Sequence, residues 1–172
     1  MRTITTLLAA LCLALTGCSA AVVPSAPPSG ADPLRSVVLR DVRTGAEFTV
    51  GELAAARPVL LETMAIWCTN CRGQQHQVVD AHRLADFDSV SLDVDPNERA
   101  DDLAEYADRE GFDWRFAVAG ADLAAMLRDR FGTAVLNPPS MPKILFRTDG
   151  SVELIGLGEQ LSAAELAAAV AG

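Results

Sequence analysis

The sequence predicts an α/β fold: a central mixed β-sheet flanked by helices, with an N-terminal β-hairpin. Three observations lead there. Strand-like and helix-like stretches alternate through residues 59–131, the pattern of an α/β layer. Residues 59–66 read Val-Leu-Leu-Glu-Thr-Met-Ala-Ile, a mostly apolar run of the kind found in a strand covered on both faces. Near the end, Asp149-Gly150 separates two short apolar stretches, a hairpin signal that adds antiparallel strands.

The elements follow in order. Residues 36–40 and 46–49 flank Asp41-Val42-Arg43-Thr44-Gly45 as strand, turn and strand. A short helix over 50–56 is stopped near Arg57-Pro58, and the buried strand 59–66 follows. Residues 71–85 have helical character, and 90–94 form a strand. Residues 98–109 are an amphipathic helix with Leu103, Tyr106 and Ala107 at helical spacing. A strand at 115–118 leads to a helix at 121–131, with Leu123, Met126, Leu127 and Phe131 on one side and Gly132 closing it. Strands 143–147 and 152–155 form the last hairpin. Ser162 and Glu165 make the Ser-x-x-Glu capping box of a final Ala-rich helix.

Composition bounds the function. At 172 residues one domain is expected, able to build its own core. Half of the chain is hydrophobic but only 5% is aromatic; alanine alone accounts for 29 residues, and 13 arginines stand against one lysine. A net charge of −9 argues against a nucleic-acid partner. Four cysteines in an exported-looking chain first read as two structural disulfides, so their positions matter.

The N-terminus reassigns two of them. Arg2 and a short apolar run from Ile4 to Leu15 have the form of a secretory signal, too short to span a bilayer comfortably. The run ends Leu15-Thr16-Gly17-Cys18, which resembles the bacterial lipobox. The resemblance implies removal of residues 1–17, Cys12 among them, and lipidation of Cys18 as the mature N-terminus; several acyl chains on one residue give stable anchoring. Removal takes one arginine and no acid, moving the net charge to −10. Residues 18–33 are then a lipidated cysteine and a Pro-, Ser- and Ala-rich tether, and the domain occupies 34–172. Only Cys68 and Cys71 remain as free thiols.

Trp67-Cys68-Thr69-Asn70-Cys71 follows the buried strand and opens a helix. Unpaired N–H groups and the positive end of the helix dipole favour a thiolate there. With two residues between the thiols, Cys68 can attack a substrate disulfide and Cys71 resolve the mixed disulfide. A zinc ribbon would need a second C-x-x-C. His76 and His82 stand too close to the thiols for a zinc finger and point apart on a helix, so no metal and no cofactor is expected. A peroxidatic site would need a threonine where Ala65 stands.

These features resemble the thioredoxin superfamily, in particular its extracytoplasmic TlpA/ResA-like branch, from about residue 37 to the C-terminus. The resemblance rests on the strand entering Trp67–Cys71, the strand end Ser91-Leu92-Asp93-Val94-Asp95, Ser140-Met141-Pro142 before the 143–147 strand, Asp149-Gly150 and the last helix. It implies a thioredoxin-like fold and a cis Met141–Pro142 bond facing the dithiol, with Met141 touching substrate. It also implies a buried acid six residues before the first cysteine, here Glu62, placed to take a proton from Cys71. Trp67 would pack beside the dithiol and shield it; Thr69 and Asn70 would meet substrate with it. The Thr69-Asn70 pair and Met141 depart from familiar members, leaving redox poise and specificity open.

A second resemblance competes. Asp93-Val94-Asp95-Pro96 and Phe112-Asp113-Trp114-Arg115-Phe116 look somewhat like Sco-type copper chaperones, which use C-x₃-C and a distant histidine. Here the pair is C-x₂-C and no histidine follows His82; two thiolates alone would have to hold Cu(I). The expectation is therefore a lipid-anchored, extracytoplasmic thiol–disulfide oxidoreductase, a monomer. It would act on protein substrates with a membrane thiol electron donor or acceptor, as a reductant, with apocytochrome c maturation as one setting.

Overall fold

The computed structural model describes residues 32–172. The signal segment, Cys12, Cys18 and nearly all of the tether lie outside the described residues. Asp32 and Pro33, assigned above to the tether, already belong to a folded turn. Asp32 Oδ1 accepts from the Leu34 N–H at 3.0 Å, capping the 3₁₀ turn Pro33–Ser36.

Strands β1 (Val38–Arg40) and β2 (Glu47–Thr49) form the expected hairpin, and α1 (Val50–Leu53) starts at a Thr49–Glu52 capping box. Then come β3 (Val59–Met64), α2 (Thr69–Ala81), β4 (Asp88–Asp93), α3 (Ala100–Glu110), β5 (Arg115–Val118) and α4 (Ala121–Phe131). The chain ends with β6 (Lys143–Phe146), β7 (Val152–Gly156) and α5 (Ala163–Ala171). The sheet order is β5-β4-β3-β6-β7, with β3, β4 and β5 parallel and β6 and β7 antiparallel to their neighbours. Helix α2 begins two residues before the expected start because Cys68 itself caps it, and the chain leaves the helix after Ala81. Between α4 and β6 the chain makes two 3₁₀ turns, Thr133–Leu136 and Pro138–Ser140, which the sequence did not announce. Among the described residues no helix is long and apolar enough to cross a membrane.

Every residue of β3 is buried, as its apolar run requires. Alternation along the strands divides the core into two layers. Leu60 and Met64 of β3 and Leu145 of β6 pack under α2, α3 and α5 with Val78, Leu103, Tyr106 and Leu166. Leu61, Val90, Leu92, Ile144 and Phe146 pack under the hairpin, α1 and α4 with Leu39, Phe48, Leu123 and Leu127. The same alternation puts Glu62, Ser91, Asp93 and Lys143 on the α2/α3/α5 side of the sheet, all buried. Buried polar atoms require partners, and Ser91 lies at the middle of one such set. Its Oγ accepts from Gln75 Nε2 and Trp114 Nε1, each at 3.0 Å, while the Tyr106 hydroxyl donates to Gln75 Oε1 at 2.6 Å.

Ser91→Ala would leave two buried donors unpaired without changing the apolar packing. The expected loss of stability is about 2–4 kcal/mol, read as a lowered urea midpoint with a change in Trp114 fluorescence. A midpoint within experimental error of the wild type would contradict this account of the core.

Candidate active site

Strand β3 ends at Met64, and four residues later Cys68 takes the N-cap position of α2 in an extended conformation. Its Sγ accepts from the Cys71 N–H at 3.2 Å, so the sulfur occupies the place of a capping oxygen. Orphan N–H groups at a helix start stabilise negative charge on such an atom. Cys68 and Cys71 form a disulfide with Cα atoms 5.3 Å apart. Both cysteines are buried, whereas Thr69 and Asn70 between them are exposed. Cys71 Sγ lies 3.1 Å from the Pro138 carbonyl oxygen. In the reduced state that oxygen is placed to accept the thiol proton and would oppose a thiolate, which keeps the second sulfur protonated until it reacts.

Trp67 differs from the expectation. The residue is 57% exposed, and Nε1 donates to Asp95 Oδ2 at 2.7 Å. The indole is therefore held against the end of β4 and stands exposed, without shielding the dithiol. Below it, both carboxylate oxygens of Glu98 accept from the Ile66 N–H, at 3.0 and 2.8 Å. Asp93, at the end of β4, accepts from the Asp95 N–H at 2.9 Å through Oδ1, while its buried Oδ2 has no partner. Burial pushes the Asp93 carboxyl up to about 7; the Asp95 N–H pulls it down and Glu98 pushes it further up.

Glu62 sits in β3 with Lys143 of β6 as its register partner, and it is buried. Loss of solvation drives its carboxyl up to about 8, against the attraction of Lys143. Its Oε1 has no hydrogen-bond partner. Glu62 lines a cavity of about 10 Å³ with Cys71, Gln74, Gln75, Met141 and Pro142, about the least room a single water needs. The acid, the second cysteine and the 141–142 loop thus converge on one small space.

The 141–142 loop corrects a second expectation. Among the described residues there is no cis peptide bond, so Met141–Pro142 is trans. Met141 instead reverses the chain in the left-handed region, at φ 45° and ψ 55°. Its N–H donates to the Pro138 carbonyl at 2.8 Å, and its own carbonyl accepts from Lys143 Nζ at 2.7 Å. Both backbone groups of Met141 are therefore used inside the protein.

The histidines are engaged by other partners. His82 stacks on Phe87 with ring centroids 4.1 Å apart and meets Ser89 Oγ at 2.9 Å; burial holds its pKa below the ordinary value. His76 packs edge-on to Phe112, 3.6 Å from Glu110. A copper site here would have the two sulfurs of Cys68 and Cys71 without an imidazole. Among the described residues no group of three or more His, Cys, Asp or Glu is arranged to hold a metal ion. Sequence reasoning missed Lys143, Asp93 and Glu98. The lysine had a legible signal: a charged residue opening an otherwise apolar strand.

No family model matches the chain, and no curated protein matches it. Solved structures do. A secreted Mycobacterium tuberculosis disulfide oxidoreductase, described as homologous to E. coli DsbE, superposes with a TM-score of 0.62 at 17% identity. That match covers 82% of this chain and 98% of the other. A Chlorobium tepidum thiol:disulfide interchange protein of the thioredoxin family gives 0.61 at 17% identity, over 82% and 94% of the two chains. A thioredoxin-related protein from Neisseria meningitidis serogroup B gives 0.61 at 15%, over 77% and 96%. At such identities the likeness establishes the fold, which is thioredoxin-like.

The raised Asp93 carboxyl has a consequence for stability. Unfolded, it releases its proton near its ordinary value of 3.8; folded, near 7. Between those values the folded chain binds more protons, so this group's contribution to stability falls as pH rises. Asp93→Asn keeps the Oδ1 acceptor, removes the buried charge and turns an amide donor toward the neighbouring Glu98 carboxylate. Urea midpoints measured from pH 4 to 8 should decline less steeply in D93N, which ends about 1 kcal/mol or more above the wild type at pH 8. Parallel declines would refute the assignment.

Proposed function

We propose that the chain is an extracytoplasmic thiol–disulfide oxidoreductase, tethered to the membrane by lipid on Cys18, that reduces disulfides of protein substrates. The observation that carries this reading is the Cys68–Cys71 pair capping α2 with a buried carboxyl beside the second sulfur. The structural neighbours named as a secreted disulfide oxidoreductase and as a thiol:disulfide interchange protein support the class of activity and the compartment.

In the reduced protein Cys68 reacts as thiolate with a substrate disulfide, forming a Cys68–substrate S–S bond and releasing one substrate thiolate. Cys71 then attacks the Cys68 sulfur. Its proton passes to the Glu62 carboxylate, the Cys68–Cys71 bond forms, and the second substrate sulfur leaves. Two electrons have moved from the protein dithiol to the substrate, and a membrane thiol donor restores the dithiol. Pro142 and Met141 frame the substrate groove with Trp67, Thr69 and Asn70 at its rim. Charge supports this direction: Glu98 and Asp95 brace residues 66 and 67 just before Cys68. Negative charge there disfavours the thiolate, and a dithiol with less thiolate stabilisation is the better reductant. Reduction of haem-attachment cysteines in apocytochrome c is the specific setting proposed.

Cys71→Ala, expressed in its own host, should accumulate Cys68 mixed disulfides whose partners identify substrate and donor. The wild-type potential should lie near about −270 mV rather than about −120 mV. An absence of trapped species together with tight stoichiometric Cu(I) binding would replace this reading with that of a copper chaperone. Cys18→Ala should leave the membrane fraction; continued membrane association would count against the lipid anchor.

A further inference from the structure

Lys143 is the one lysine of the chain, and it is completely buried. An ammonium taken out of water needs compensation, and the fold supplies it deliberately. Nζ donates to the Met141 carbonyl and to the Glu159 carbonyl, each at 2.7 Å, using two of its three N–H groups. The stem needs space as well. Lys143 pairs with Gly156 across β6 and β7, and a Cβ at position 156 would stand 2.5 Å from Lys143 Cε. β7 therefore has a glycine where the lysine crosses it. On the other side of β6, the register partner of Lys143 is Glu62, whose Oε1 lacks a hydrogen-bond partner.

We infer that Lys143 is a positioning residue for the resolving step. Its ammonium fixes the Met141 carbonyl above the dithiol and supplies the positive charge against which Glu62 stands as a carboxylate beside Cys71. The inference rests on the proposed role of Glu62 as acceptor of the Cys71 proton. The balance is that of the resolving step: the Cys71 proton goes to Glu62, the Cys71–Cys68 bond forms, and the Cys68–substrate bond breaks with its electron pair on the departing sulfur. Lys143 keeps its proton throughout.

The groups facing this pair are few. From α2 come Cys71 and the neutral Gln74 and Gln75, which line the cavity with Glu62. From α3 comes Tyr106, whose pKa burial raises and whose hydroxyl is bound to Gln75. From the β7–α5 connection comes Glu159: burial lowers the Lys143 pKa, and the charges of Glu62 and Glu159 oppose that fall. Among these Lys143 is the cation, and it opposes the rise that burial imposes on Glu62.

The test measures resolution of a Cys68–glutathione mixed disulfide against pH in the full-length chain. Lys143→Met should move the acidic limb of the rate profile to higher pH by at least one unit. Glu62→Gln should abolish that limb, and the double variant should behave as Glu62→Gln alone. A K143M profile superimposable on the wild type, or an equal further loss when K143M is added to E62Q, would overturn the inference. Because the chain has one lysine, ¹³Cε labelling gives one resonance. It should titrate at lower pH in E62Q than in the wild type, and an unchanged titration would also overturn the coupling, whether or not K143M folds. Failure of wild-type Cys68 to form or resolve the mixed disulfide would instead sink the proposed function.

Discussion

The Glu62 carboxyl stands on the central strand of a sheet covered on both faces, and the surroundings of the dithiol are organised around the cost of keeping it there. Unpaired ionised groups in such a place are too costly to persist. This fold supplies a lysine from the adjacent strand, a glycine to make room for that lysine, and two backbone carbonyls to hold it. One of the carbonyls belongs to Met141, so the shape of the loop over the dithiol and the charge beneath it share a single anchor. Acid, cation and loop are one assembly.

The same face of the sheet carries a row of buried polar side chains, and each is settled differently. Ser91 is fully paired and acts as a junction between α2, α3 and the Trp114 segment. Asp93 is half paired, and its raised proton affinity compensates for the missing donor. Glu62 is the least satisfied, and it lines the cavity together with Cys71. The one left without a hydrogen-bond partner beside the resolving cysteine is thus Glu62, as expected where a group must exchange a proton.

Much of this was legible in the sequence because it depends on local rules. The apolar run at β3, the Asp-Gly hairpin, the capping box at Ser162 and the cysteine at a strand-to-helix junction are read from neighbours along the chain, and all four are present. Glu62 was legible through the family resemblance, which implies a buried acid six residues before the first cysteine. What escaped notice depends on contacts between distant segments. The Glu62–Lys143 register joins residues 81 positions apart, and the Glu98 contact to Ile66 spans 32. The expected cis bond at Pro142 came from resemblance; the trans bond seen here goes with a left-handed Met141 whose N–H and carbonyl are both bound within the protein. Trp67 was expected to pack beside the dithiol and shield it, but its indole is bound to Asp95 and stands exposed.

The burial of Lys143 also shapes how the molecule meets a protease. A lysine-specific endoprotease has one peptide bond to cut in this chain, the one after Lys143. That bond begins a strand with a neighbour on each side. It becomes available only when β7 leaves the sheet or the whole domain opens, so the rate of this single cut counts opening events. The 13 arginines, by contrast, are spread along the chain and report local fraying as well. One buried lysine thus gives the domain a built-in gauge of its own integrity, located within the strand that supports the active-site loop.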